Sequence, residues 1–191
     1  MGNHDSYNTS TATPNASLSG NESLRSNMSI ITRLSVMMLL EFIVFGSWFA
    51  TLGLVLATNK LPLIIGTAYS LAAIAALVSP MFLGALGDRF LASQKVLGIA
   101  HLLGGIVMLF MPSVVNAGNG SLALALIFVY ILFFQPTLGL INSIAFRHLG
   151  ANQSVFPYIR VFGTFGWVLA GLGVGAIGLS ASPNMFLVDG V

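Results

Sequence analysis

The sequence FPYIRVFGTFGW, residues 156–167, opens a hydrophobic run that continues to about residue 179. A run of that length can cross a bilayer as a single helix. One arginine lies inside it. At about 100° per residue, Arg160, Thr164 and Trp167 fall at i, i+4 and i+7 and share one face of the predicted helix.

A cation, a hydroxyl and an indole on one face of a helix predict the wall of a polar cavity. The opposite face is aromatic and aliphatic and suits lipid or packing, with Phe162, Phe165, Leu169 and Leu172. An ionisable group at membrane depth is costly, so it usually faces the protein interior and marks a pathway. The alternative is that Arg160 lies near the helix start and extends to the cytoplasmic surface.

The composition is that of a membrane protein. Of 191 residues, 56% are hydrophobic and 6% are charged, with a mean hydropathy of +0.93, whereas a soluble domain carries about 25% charged residues. The sequence therefore predicts an all-α polytopic membrane protein. It has no cysteine for a disulfide or a thiolate metal site, and it shows no basic stripe for nucleic acid. No cofactor and no metal are expected.

Five membrane spans are predicted between two short tails. Residues 1–28 are polar and predict a disordered tail, and residues 181–191 predict a short tail outside the membrane, too short for another span. The helical bundle then occupies residues 29–180. Its spans are predicted at residues 30–56, 64–86, 96–115, 122–144 and 156–179.

Glu41 is the interior charge of the first span. It follows Ile30 by eleven residues, which places it ~16 Å along the helix and near the middle of the bilayer. Intramembrane carboxylates are usually functional, so Glu41 is a candidate proton-coupling residue, with Arg160 as a candidate partner. The alternative is a structural carboxylic acid held between helices. His101, in the third span, is interpreted as a hydrogen-bonded packing residue rather than a proton relay.

The distribution of Lys and Arg predicts the orientation. With a cytoplasmic amino terminus, five basic residues lie on the cytoplasmic side and only Lys60 lies on the far side, as the positive-inside rule expects. Arg160 is left out because it is predicted to be intramembrane. The five are Arg25, Arg33, Arg89, Lys95 and Arg147. The expected location is the cytoplasmic (inner) membrane, with several passes.

Further motifs carry a resemblance to a known family. Gly84 to Arg89, with Asp88, resembles the signature loop between the second and third helices of the major facilitator superfamily, although Leu91 stands where many members carry glycine. Phe45-Gly46-Ser47-Trp48, Pro136 to Asn142 and Phe156 to Thr164 extend the likeness along the chain. Together these motifs resemble the nucleoside:proton symporter family, the bacterial nucleoside and xanthosine permeases.

The resemblance implies a twelve-helix fold with a central cavity, of which this chain resembles only the first five helices. It implies a nucleoside site at Arg160, Thr164 and Trp167, with the ring stacking on the base. Members of the family carry Phe at the position of Trp167, often Pro at Tyr158, and Gln at Glu41. The last departure leaves open that the family's coupling site lies elsewhere, in the missing carboxy-terminal half.

The sequence thus predicts the amino-terminal portion of a nucleoside:proton symporter, with nucleoside, protons, the lipid bilayer and the missing half as partners. Two alternatives remain. One is a transporter of another small polar solute such as a sugar, and the other is a membrane scaffold in which polar residues only hold helices together. An enzyme is not expected, because Asp5, Asp88 and Asp189 are the only aspartates and no carboxylate cluster within the membrane can hold a metal.

Overall fold

The computed structural model describes residues 14–87 and 92–190, and their side chains over 27–78 and 92–190. The described residues form seven α-helices and two 3₁₀ turns. The helices are α1 (Pro14–Phe49), α2 (Leu52–Thr58), α3 (Ile65–Gly87), α4 (Ser93–Asn116), α5 (Gly120–Leu149), α6 (Phe156–Ala176) and α7 (Met185–Gly190), and the 3₁₀ turns are Pro62–Ile64 and Gly150–Val155.

The all-α fold with five long helical segments is confirmed, with α1 and α2 forming the first segment. Within the described residues, Asn27–Thr58, Ser93–Asn116 and Gly120–Ala176 are long and apolar enough to span a membrane, and the last range contains both α5 and α6. Two local signals set the later boundaries. The Asn119 side chain accepts a hydrogen bond from the Leu122 amide at the start of α5, and Pro157 lies in the first turn of α6.

The helices pack around α1 and α5. Helix α6 lies along α1, while α3 and α4 lie against α5. The larger core cluster is rich in aromatic residues, with Trp48, Tyr130 and Phe134 all nearly inaccessible to solvent. The outer face of α6 is exposed, as the sequence indicated: Phe165 is 57% exposed and Leu172 is 67% exposed, which is the surface that a lipid-facing helix presents.

Both predicted tails differ from the structure. Residues 14–28 belong to α1, so the helix begins well before the predicted span, and residues 1–13 lie outside the described residues. Residues 185–190 form α7, which packs against α4 and α1. Met185 and Phe186 are fully buried there, so this segment is part of the bundle rather than a solvated tail.

Candidate functional site

Two glycines allow α6 to approach α1 closely. A Cβ atom on Gly166 would lie 2.3 Å from the Leu39 carbonyl oxygen, and one on Gly46 would lie 3.0 Å from the Ala170 Cβ. The small residues of this contact are therefore Gly163, Gly166 and Ala170 on α6. Helix α6 also contains a Gly171-x-x-x-Gly175 pattern, which is typical of tight helix contacts, but it takes no part in this one, because a Cβ on Gly171 would meet nothing within 4 Å.

Arg160, Thr164 and Trp167 line one cavity of about 390 Å³, and Phe42 of α1 completes its lining. The Arg160 guanidinium carbon lies 4.2 Å from the centroid of the Phe42 ring, which is within the range of a cation–π interaction. The structure thus brings together the three residues predicted from one helix face and adds a fourth from the neighbouring helix. Their role in binding a substrate stays a prediction.

Aromatic packing holds the indole of Trp167 in place. Its ring centroid lies 4.6 Å from that of Phe45 in an edge-to-face arrangement, and 6.1 Å from that of Phe49. Gly163 leaves room for the Arg160 guanidinium, since a Cβ at that position would come within 2.7 Å of a guanidinium nitrogen. The cavity is therefore bordered by the packed Trp167 ring and by the Arg160 guanidinium.

Glu41 lies on the side of α1 that faces α4 and α5. Its Oε2 is 2.8 Å from His101 Nε2, and its Oε1 accepts a hydrogen bond from the Thr137 hydroxyl. The suggested pairing of Glu41 with Arg160 was wrong, because Arg160 lies over the next residue, Phe42, on the α6 side. Among the described side chains, Glu41–His101 is the single salt bridge.

A groove of about 790 Å³ runs between α1 and α4 beside this pair. Glu41, His101 and Asp189 of α7 all line it. The Ser47 hydroxyl is 3.0 Å from Asp189 Oδ1 and also 2.7 Å from the Val44 carbonyl oxygen, and it can donate to either. Asp189 Oδ2 is buried without a hydrogen-bond partner. Polar groups from four helices thus surround the groove and its inner wall.

Sequence reasoning missed several of these residues. It interpreted His101 as a packing residue, whereas the structure joins its imidazole to the buried carboxyl of Glu41. Thr137 was noted only as part of a motif, and Phe42 only follows Glu41 in sequence. Of the predicted signature loop, Gly84 lies in the last turn of α3, while Asp88 and Arg89 lie outside the described residues.

Comparison with known protein families gives a match that covers most of the chain. The family model described as nucleoside H⁺ symporter matches residues 28–187. Among curated relatives from Escherichia coli (strain K12), a putative nucleoside transporter, YegT, is 39% identical over 150 residues, or 78% of this chain and 34% of its own. Xanthosine permease is 31% identical over 170 residues, or 85% of this chain and 40% of its own.

Nucleoside permease NupG of the same organism is 36% identical over 149 residues, or 75% of this chain and 35% of its own. The crystal structure of nucleoside transporter NupG matches the fold with a TM-score of 0.74 at 28% identity, covering 84% of this chain and 40% of that one. The chain therefore spans 34–40% of the length of these curated relatives.

Proposed function

Because this chain belongs to the nucleoside H⁺ symporter family, we propose that it forms the amino-terminal portion of a proton-coupled nucleoside transporter. The observation that carries the proposal is the cavity lined by Phe42, Arg160, Thr164 and Trp167. The missing carboxy-terminal half of the transporter is its partner in this proposal, since the chain spans well under half of its relatives.

The chemistry of the cavity suits a nucleoside. An arginine offers five N–H donors in a planar fork and no acceptor, and the ribose hydroxyls and base carbonyls of a nucleoside can accept from it. Thr164 adds a hydroxyl one turn along α6. Trp167 provides a flat ring on which a base can stack. A volume of about 390 Å³ also falls in the range of small-molecule pockets, about 300–1,000 Å³.

The test is calorimetric titration of the purified transporter with uridine, or with another nucleoside that the wild type binds. We expect Arg160→Lys and Trp167→Ala each to weaken binding by about tenfold or more, equivalent to 1.4 kcal/mol or more. Lysine lacks the planar fork, and alanine lacks a ring. Trp167→Phe keeps a ring and should have a mild effect. Arg147→Lys, an exposed change at the end of α5, is the matched control.

If Arg160→Lys and Trp167→Ala both fold and bind within about twofold of the wild type, the cavity assignment is wrong and Arg160 only anchors the helix. A parallel titration with a disaccharide distinguishes a sugar transporter from a nucleoside transporter. A wild type that binds the sugar and not the nucleoside would identify a sugar transporter. A wild type that binds neither would favour the scaffold.

The proposal includes an orientation in the cytoplasmic membrane with the amino terminus inside, supported by the five-to-one distribution of basic residues. A phosphatase fused after Arg147 should then be inactive, because it stays in the cytoplasm. One fused at Val191 should be active, because the fifth segment carries it across. The opposite pattern of activities would overturn both the orientation and the count of spans.

A further inference from the structure

Glu41 and His101 differ sharply in their access to solvent. The Glu41 side chain is 3% exposed and the His101 side chain is 31% exposed, although their polar atoms lie only 2.8 Å apart. His101 is therefore the more accessible of the two groups to a proton that arrives through the groove. An ionised carboxylate without a partner at this depth would be costly, and a protonated imidazole supplies the opposite charge directly beside it.

Thr137 is shared between two acceptors. Its side chain is fully buried, and its Oγ1 lies within hydrogen-bond distance of Glu41 Oε1 and 2.5 Å from the Phe134 carbonyl oxygen. A hydroxyl has a single proton to donate. With Glu41 ionised, the hydroxyl donates to the carboxylate. With Glu41 protonated on Oε2, the acid donates to His101 Nε2, and Oε1 remains an acceptor for the Thr137 hydroxyl.

The other charged or titratable groups around the pair come from three helices. Arg33 of α1 and Asp189 of α7 line the groove, and Tyr130 of α5 is buried with its hydroxyl unpartnered. Two carboxyls and one imidazole thus line one groove. When a protonated His101 balances the charge of Glu41, Arg33 is the remaining cation that lines the groove and could balance Asp189.

We propose that Glu41, His101 and Thr137 form a proton-binding site in which His101 passes a proton between the groove and Glu41. When Glu41 releases its proton, its O–H bond breaks and an N–H bond forms at Nε2 of a His101 that carried its hydrogen on Nδ1. The products are a carboxylate and an imidazolium, and charge and protons balance. Thr137 is a positioning residue, whose hydroxyl holds Oε1 and thereby keeps Oε2 beside His101.

The inference deepens the proposed transport function, since a site of this kind would hold the coupled proton. It is nevertheless measurable without transport. The protein is purified into lipid nanodiscs, with ¹⁵N-labelled histidine. The state of Glu41 is followed by the infrared carbonyl band of its protonated carboxyl, and the state of His101 by the ¹⁵N signals of its imidazole. Circular dichroism checks that each variant is folded.

We expect the Glu41 band and the His101 signals to respond together in each protonation step, because the protons of two strongly interacting groups leave in steps that belong to the pair. Glu41→Gln should abolish the band and displace the His101 titration. His101→Gln keeps a hydrogen-bond donor but cannot carry a proton. It should therefore slow hydrogen–deuterium exchange at Glu41 by about tenfold or more, since a positioned acid–base group contributes about 10²–10⁴ in rate.

His148→Gln is the matched control, because His148 bonds only the Ile144 carbonyl of its own helix. It should leave the band and its exchange unchanged. Thr137→Val should shift the frequency of the Glu41 band, and Thr137→Ser, which keeps the hydroxyl, should restore it. Exchange at wild-type rate in folded His101→Gln would overturn the proposal. If that variant does not fold, a His101 titration unmoved by Glu41→Gln would overturn it equally.

These outcomes are separable from the failure of the proposed function. If no nucleoside binds but Glu41 and His101 titrate together, the proton site stands and the substrate assignment fails. If nucleoside binds in the Arg160 cavity but the two groups titrate independently, the transport function stands and this proton site is wrong.

Discussion

The two sides of α1 place charged groups in different environments. On the α6 side, the Arg160 guanidinium stacks on Phe42 and borders a cavity of about 390 Å³. On the α4 side, the Glu41 carboxyl is 3% exposed and is bonded to both His101 and Thr137. The N–H donors of Arg160 are suited to bind a neutral polar molecule. The Glu41 carboxyl, which is buried and hydrogen-bonded, is suited to hold a proton.

Helix α1 lies between the two sites and contributes a side chain to each of them. Glu41 and Phe42 are consecutive residues, and consecutive side chains on a helix point about 100° apart. Any rotation of α1 about its axis would therefore change both environments together. Variants that disturb the whole α1–α6 contact should impair both nucleoside binding and the Glu41–His101 pair. Variants at one side chain should impair only one of the two.

The largest effect is expected for Gly166→Ala. The new Cβ would lie 2.3 Å from the Leu39 carbonyl oxygen, and backbone cannot move aside as a flexible side chain can. We expect a loss of at least the roughly 1–3 kcal/mol typical of overpacking, measured as a lower unfolding temperature in detergent. Nucleoside binding and the Glu41–His101 titration should be lost together.

Gly171→Ala in the same helix is the matched control, because a Cβ there meets nothing within 4 Å. It should unfold at the wild-type temperature or slightly above it, since alanine favours a helix over glycine by about 1 kcal/mol. Equal unfolding temperatures for the two alanine variants would contradict the close contact between α1 and α6.

Glu41→Gln should impair the proton site on one side of α1 and leave the Arg160 cavity on the other side intact. In a complete transporter carrying this sequence, we expect uphill nucleoside accumulation to fall by about tenfold or more, on the scale of a lost acid–base group. Exchange of nucleoside across the membrane should persist, because the Arg160 cavity is intact. Radiolabelled uptake and counterflow measure the two separately. Accumulation at the wild-type level would show that this carboxyl is structural.

The smallest effect is expected for Phe42→Leu, which removes the ring under Arg160 but keeps an apolar side chain. Cation–π contacts contribute about 0.5–1 kcal/mol at exposed sites, so nucleoside binding should weaken by about two- to fivefold. Calorimetric titration measures it, with Phe162→Leu on the exposed face of α6 as control. A Phe42→Leu variant that binds like Phe162→Leu would mean that the ring does not orient the guanidinium.

Much of the fold and half of the candidate site followed from the sequence. Hydrophobic runs separated by polar turns located five helices, because bilayer thickness fixes the length of a span. Periodicity on one helix grouped Arg160, Thr164 and Trp167, and the structure does place them around one cavity. Their role in binding a substrate stays a prediction.

The contacts of Glu41 could not be predicted from the pattern of any single helix. The Glu41 contacts join residues 60 and 96 positions apart in the chain, and periodicity gives the faces of a helix but not which helix each face meets. For the same reason Arg160 was a reasonable partner for Glu41 and His101 a reasonable packing residue. The pattern of glycines in α6 had the same weakness, since Gly171 and Gly166 differ only in the direction they face.

The adjacency of Glu41 and Phe42 has a genetic consequence. Deleting or inserting one residue upstream within α1 would turn the preceding and following parts of the helix by about 100° against each other. A carboxyl would then be presented where a ring belongs, or a ring where a carboxyl belongs. In-frame insertions and deletions that a purely lipid-facing helix would tolerate should be absent from α1 between Arg33 and Trp48 in any lineage that keeps both sites.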